Sequence, residues 1–104
     1  MITNDAARQI IKDAEGLQLN AYKCPAGQWT IGYGHTGDVK EGARVTRHQA
    51  ETILEYDLER FEAGVAKLAP KANGNQFSAM VSLAFNIGLA AFEKSTLLRE
   101  FNAG

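Results

Sequence analysis

The spacing of apolar residues predicts a helix at the start of the chain. From Thr3 to Glu15, apolar side chains recur at the intervals of one helical face. Thr3 or Asn4 can cap the start of this helix, and Gly16 can adopt the left-handed conformation that ends it. The face predicted to point inward consists of Ile2, Ala6, Ile10, Ile11 and Ala14.

After this helix the apolar period changes from helical to alternating. Trp29, Ile31 and Tyr33 alternate with small or polar residues, and a Pro25–Gly27 turn precedes them. Apolar residues with a period of two around a Pro/Gly turn predict a β-hairpin. A polar loop follows the hairpin, and a short third strand is expected near Val39.

The remainder of the chain is predicted to be helical. Thr46 and Gln49 form a capping-box pattern, which begins a helix of a little over twenty residues that Pro70 ends. Apolar residues all round the next segment predict a buried central helix over residues 75–88. Residues 92–95 are expected to form a turn before a last short helix.

These elements predict an α+β chain that is predominantly helical. A small β-hairpin lobe is joined by the long helix to a helical lobe, within a single domain over residues 1–104. The buried helix needs neighbours on every side, but only two substantial helices and one short helix are available to it. We therefore expect an incomplete helical lobe. Either self-association or a complementing chain completes it, or the sequence is a piece of a longer protein.

Composition and charge exclude several function classes. The formal net charge of −1 leaves no basic stripe for nucleic acid. A single cysteine cannot form an internal disulfide. The spacings of Cys24, His35 and His48 match no zinc pattern, and no phosphate loop is present, so neither a metal nor a cofactor is expected. No apolar run reaches the length of a transmembrane helix, so stable membrane insertion is not expected.

The first ten residues carry neither a basic segment nor an apolar core of the kind found in secretory signals. The sequence therefore predicts that the protein accumulates in the cytoplasm. If its substrate lies outside the cell, another factor must release it.

Three residues around the hairpin are candidates for chemistry. Glu15 ends a helix, where the macrodipole disfavours a charged carboxylate and raises its pKa, as a general acid requires. The Thr30 hydroxyl can hold a water molecule, and the Cys24 thiol is a modest base. Each has a structural alternative: an exposed helix-end glutamate, a strand-favouring threonine and a buried thiol. His35 at the strand end is more often a structural histidine.

Taken together, these residues resemble the active-site region of the phage-type lysozymes, endolysins that cut peptidoglycan. The family pattern is a Glu, eight residues, an Asp or Cys, five residues and a Thr. Glu15, Cys24 and Thr30 match it without a gap, and the run TIGYGH follows from Thr30. The resemblance extends through the long helix and Phe85-Asn86-Ile87-Gly88, and covers essentially the whole chain.

The resemblance implies a lysozyme-like fold and a muramidase. Such an enzyme hydrolyses the β-1,4 bond between N-acetylmuramic acid and N-acetylglucosamine in peptidoglycan and lyses the host cell. Glu15 would protonate the leaving oxygen. Cys24 and Thr30 would either position or assist the attacking water, or stabilise the oxocarbenium-like transition state. The substrate-binding residues that the resemblance implies are Gly34, Thr36, Phe85 and Ser95.

The sequence departs from the family in one respect. Members continue for several dozen residues, with helices that close the helical lobe and an Arg that pairs with the catalytic Glu. Because these are absent here, we expect a C-terminally truncated chain. The alternative to an active endolysin is a catalytically impaired, glycan-binding or complementing fragment of a lysozyme.

Overall fold

Five helices and one two-stranded sheet form the fold in the computed structural model, which describes residues 1–104. The helices are α1 (Asp5–Glu15), α2 (Arg47–Leu68), α3 (Gly74–Ile87), α4 (Leu89–Glu93) and α5 (Thr96–Ala103). The strands are β1 (Gln18–Lys23) and β2 (Trp29–Gly32). The predicted α+β, predominantly helical class is therefore confirmed. None of the helices combines the length and the apolar character needed to cross a membrane.

The chain divides into two compact units. The first unit comprises residues 1–11 and 58–104, and the second comprises residues 12–57. The second unit contains the hairpin. The first contains α3, α4 and α5, and the helices α1 and α2 each contribute residues to both units.

The predicted hairpin is confirmed. Strands β1 and β2 are antiparallel, with Tyr22 opposite Thr30. The third strand expected near Val39 is wrong, because Gly37 and Asp38 have φ angles of 94° and 57° that an extended strand cannot contain. Instead, the third segment to pair with the hairpin lies later in the chain, where an isolated bridge joins Asn20 to Arg44.

Helix α1 begins where expected but buries only one residue of the predicted inward face, Ile11. Asn4 caps it, since the Asn4 side chain accepts a hydrogen bond of 2.9 Å from the backbone of Ala7. The buried residues are Thr3, Ala7 and Ile11, four apart, whereas the predicted inward residues Ile2, Ala6, Ile10 and Ala14 are exposed. A polar residue can occupy this buried stripe because the backbone N–H and hydroxyl of Thr3 both donate to Glu62 Oε2 at 2.7 Å.

Helix α2 follows its prediction closely. The capping box is present: Gln49 N–H donates to Thr46 Oγ1 at 3.1 Å, and Thr46 N–H donates to Gln49 Oε1 at 2.8 Å. The helix ends at Leu68, before Pro70. Its buried face consists of Ala50, Leu54, Leu58, Phe61 and Val65.

The last three helices differ from prediction in two respects. Helix α3 is not buried all round, because Ala79 and Ile87 on one side are exposed while Phe77 and Val81 are buried. Residues 92–95 are not simply a turn: the short helix α4 contains Phe92, which is fully buried. This helix starts because Gly88, with a φ of 90°, ends α3 and begins a new turn.

Candidate active site

The hairpin brings Cys24 and Thr30 together. Cys24 directly follows β1, and its backbone N–H donates to the Gln28 carbonyl across the turn at 2.8 Å. The buried Thr30 hydroxyl lies 3.2 Å from the same carbonyl and also within hydrogen-bonding reach of the Cys24 thiolate. Its single proton can serve only one of these acceptors at a time.

The turn lowers the pKa of the Cys24 thiol. The backbone N–H of Gln28 makes the largest contribution, and the N–H groups of Ala26 and Gly27 and the Thr30 hydroxyl add to it. Hydrogen bonds that stabilise a thiolate favour its charged form. A larger fraction of Cys24 is therefore ionised at neutral pH than of an ordinary cysteine, although each thiolate is a weaker base.

Glu15 lies at the end of α1, as the sequence predicts. Gly16 terminates the helix: it has a φ of 72°, and its N–H donates to the Lys12 carbonyl at 2.8 Å. Although the residue as a whole is exposed, neighbouring atoms bury part of its carboxyl and raise its pKa. The direction of the shift agrees with the prediction, and burial is its cause.

Gly34 lies directly against the Glu15 carboxyl. A Cβ atom at this position would come within 2.9 Å of Glu15 Cδ and closer still to Oε1. The φ of Gly34 is 74°, and the tight turn that holds it is closed by two hydrogen bonds between Ile31 and His35. A side chain at this position would displace the carboxyl, and the positive φ also favours glycine.

Three further residues of the second unit form a connected polar group beside α1. Lys12 Nζ lies 2.6 Å from Glu51 Oε2, and the Tyr33 hydroxyl donates to Glu51 Oε1 at 3.3 Å. The Lys12 ammonium also lies 5.7 Å from the centroid of the Tyr33 ring. We name this set the Lys12–Tyr33–Glu51 cluster.

Sequence reasoning did not identify the Lys12–Tyr33–Glu51 cluster. The only available signal was that Lys12 precedes Glu15 by three residues, which places both on one side of a helix. Its partner Glu51 lies far along the sequence on α2, and no local pattern marks that pairing.

His35 has the structural role that the sequence favoured. Its Nδ1 atom and Asp57 Oδ2 form a hydrogen bond of 2.7 Å, and both side chains are about four-fifths buried. The bond joins the end of the hairpin to α2 within the second unit.

Replacing Asp57 by Asn is expected to lower the free energy of unfolding by about 1.5–3 kcal/mol, the usual contribution of a hydrogen bond to a charged group. Urea denaturation measures this change. Glu59→Gln removes one negative charge from an exposed position of the same helix and is expected to change stability by less than about 0.5 kcal/mol. Equal losses in both variants would contradict a specific role for the His35–Asp57 pair.

Of the other predicted binding residues, Thr36 lies close to these groups in the sequence, and Phe85 and Ser95 lie far from them. Thr36 is exposed and directly follows His35. Phe85 is half-buried on α3, and its ring lies 5.0 Å from that of Phe61. The Ser95 hydroxyl caps α5: it donates to the Phe92 carbonyl at 2.7 Å and accepts from Leu98 N–H at 3.2 Å.

The arrangement is suited to acid catalysis without a metal ligand set. No three His, Cys, Asp or Glu side chains lie close enough together to hold a metal ion. Instead, the second unit presents a carboxyl of raised pKa at a glycine turn and a thiol–hydroxyl pair at the other end of β2.

Comparisons with known proteins agree with this description. The phage lysozyme family model matches residues 12–104. An endolysin of Acyrthosiphon pisum secondary endosymbiont phage 1 is 45% identical over 96 residues, which cover 91% of this chain and 66% of that protein. The muramidase domain of SpmX from Asticaccaulis excentricus superposes with a TM-score of 0.92 at 43% identity, covering 99% of this chain and 71% of that one.

The chain is shorter than these proteins. An endolysin of Bacillus phage PZA is 45% identical over 108 aligned residues, which cover the whole of this chain but 42% of that protein. The chain thus spans between about two fifths and two thirds of the length of these two curated endolysins.

Proposed function

Since the chain belongs to the phage lysozyme family, we propose that it is an endolysin that hydrolyses the β-1,4 bond between N-acetylmuramic acid and N-acetylglucosamine in bacterial peptidoglycan. The observation that carries this proposal is the Glu15 carboxyl, whose partial burial against the Gly34 turn raises its pKa. The names endolysin and muramidase among its relatives support the same reaction class. Release of the protein from the host cytoplasm by another factor stays a prediction.

Glu15 acts as the general acid in this proposal. Its proton passes to the glycosidic oxygen as the bond between that oxygen and the anomeric carbon breaks. A carboxyl whose pKa is raised keeps its proton to higher pH than an ordinary glutamate. Catalysis is therefore expected to fall as the pH rises through the raised pKa, because the acid is then deprotonated.

Cys24 and Thr30 hold the attacking water. The Thr30 hydroxyl can donate to or accept from a water molecule, and the Cys24 thiolate is an acceptor that the turn already stabilises. The water oxygen forms the new bond to the anomeric carbon, and its proton leaves to the thiolate or to solvent. Gly34, Thr36, Phe85 and Ser95 are proposed to contact the saccharide.

The direct test is hydrolysis of purified peptidoglycan by this chain. We expect the suspension to clear and new reducing ends to appear, and mass spectrometry should identify them as N-acetylmuramic acid. Products with N-acetylglucosamine reducing ends would contradict the proposed bond, and cleared suspensions without new reducing ends would contradict hydrolysis of a glycosidic bond.

Selective alkylation of Cys24 is expected to inhibit the enzyme at least about tenfold, because the added group occupies the proposed water position. Cys24 is the only cysteine, so iodoacetamide modifies one thiol. The Cys24→Asp variant keeps an acceptor at this position and is expected to be active and insensitive to the reagent. Full activity after complete modification of the wild-type thiol would place Cys24 outside the reaction.

A second candidate function is glycan binding without cleavage, by a chain that needs a partner to complete its helical part. An open apolar groove in the first unit favours this candidate, because such a groove can receive a partner's apolar side chains. Its lining residues are Gln76, Ala79, Met80, Leu83, Leu97, Glu100 and Phe101. Light scattering at micromolar concentration, combined with urea unfolding, separates the candidates, since a cooperatively folded, active monomer contradicts the need for self-association or a complementing chain.

A further inference from the structure

The Lys12–Tyr33–Glu51 cluster joins two backbone segments that lie next to the Glu15 carboxyl, the last turn of α1 and the Tyr33–Gly34 segment. Lys12 is on the last turn of α1, three residues before Glu15. Tyr33 is buried and directly precedes Gly34, the residue against which the carboxyl lies. Glu51 on α2 contacts both, with one carboxylate oxygen on the Lys12 ammonium and the other on the Tyr33 hydroxyl.

We propose that Glu51 is a positioning residue for the acid Glu15. It ties the last turn of α1 to the Tyr33–Gly34 segment, and it holds the Lys12 ammonium away from the Glu15 carboxyl. The inference rests on the proposed function, in which Glu15 must carry a proton.

The geometry of α1 explains why the ammonium must be restrained. Side chains three residues apart are neighbours on a helix surface, and a lysine there readily pairs with a glutamate. An ammonium within about 4–6 Å of a carboxylate lowers the pKa of that carboxyl by about 1–3 units. The hydrogen bond to Glu51 keeps Lys12 occupied instead, at 2.6 Å.

The charges around the cluster are consistent with this role. The hydrogen bond between Lys12 and Glu51 raises the pKa of the ammonium and lowers that of the carboxylate, so both stay charged. Glu55 on α2 and Tyr33 also favour the charged form of Lys12, and Arg47 favours that of Glu51. Burial is the cause of the raised pKa of Glu15.

The test is the pH dependence of peptidoglycan hydrolysis by Glu51→Gln. Glutamine keeps the shape, but it removes the negative charge that attracts the Lys12 ammonium. We expect the alkaline limb of the pH–rate profile to move down by at least about one pH unit at low salt. Above that limb kcat falls about tenfold, with KM little changed. The double variant Lys12→Met/Glu51→Gln should return the limb to the wild-type pH, because the ammonium is gone.

Glu59→Gln is the matched control, since it removes one charge from an exposed position of the same helix. An unchanged limb in Glu51→Gln, or a shift that Lys12→Met does not reverse, would overturn the proposal and leave Glu51 a merely structural residue. If Glu51→Gln does not fold, Glu51→Ala can replace it, because alanine is favourable in a helix and the same shift of the limb is expected.

A second readout separates this inference from the proposed function. NMR titration of carbon-13-labelled glutamate side chains follows the pKa of Glu15 without substrate. We expect it to fall by at least about one unit in Glu51→Gln. That shift in a protein that does not cleave peptidoglycan would uphold the role of Glu51 and overturn the proposed reaction. Cleavage of peptidoglycan by the wild type, with no change in the pKa of Glu15 in Glu51→Gln, would uphold the proposed reaction and overturn the role of Glu51.

Discussion

Replacing Glu15 by Gln is expected to reduce the rate of peptidoglycan hydrolysis by about 10²–10⁴-fold, the usual contribution of a positioned general acid. Glutamine has nearly the same shape as glutamate but no proton to transfer to the glycosidic oxygen. Turbidity clearing and reducing-end release measure the effect. Glycan binding should persist, because the uncharged side chain still fills its place against Gly34.

Glu15→Gln is also expected to change the pH dependence of peptidoglycan hydrolysis. The wild-type rate should fall with rising pH once Glu15 loses its proton, and this limb should disappear in Glu15→Gln because no acid remains to titrate. Glu59→Gln, with its exposed side chain on α2, should retain both the rate and the limb. Clearing at the wild-type rate by Glu15→Gln would eliminate Glu15 as the acid.

The second large effect is expected from Gly34→Ala. The new methyl group would lie 2.9 Å from Glu15 Cδ, so the carboxyl must move. A displacement of about 1 Å at a catalytic group can cost about 10²-fold in rate, and we expect a loss of kcat of that order. The positive φ of Gly34 adds a stability cost of about 1–2 kcal/mol.

Gly37→Ala is the matched control for this substitution. Gly37 also has a positive φ, 94°, but nothing lies within 4 Å of where its Cβ would be. The two variants should therefore lose similar stability in urea denaturation, while only Gly34→Ala loses activity. Equal activities in the two variants would show that the contact with Glu15 is not required for the reaction.

Local signals in the sequence predicted the elements well. The capping box of Thr46 and Gln49 and the stop before Pro70 locate α2 to within a residue or two, because both depend on neighbouring backbone groups. The Pro25–Gly27 turn likewise locates the hairpin. Such features need only a few consecutive residues to form.

Predictions of burial were less successful. Ile2 and Ile10 are exposed and Thr3 is buried, the opposite of the simple apolar pattern. Thr3 can be buried because Glu62, far along the chain, accepts both of its hydrogen bonds. A hydrophobic period shows that one face of a helix is apolar, but the elements that pack against it decide which residues are covered.

Local pattern and spacing along the chain are enough to identify the class of the fold, the family, and Glu15, Cys24 and Thr30 as the candidates for chemistry. The surroundings of these residues depend on tertiary packing. That packing placed Gly34 against the Glu15 carboxyl and Glu51 on Lys12, and it gave the Cys24 thiolate a ring of turn N–H donors. A pKa and a contact depend on distances in space, and folding sets those distances between residues that the sequence keeps apart.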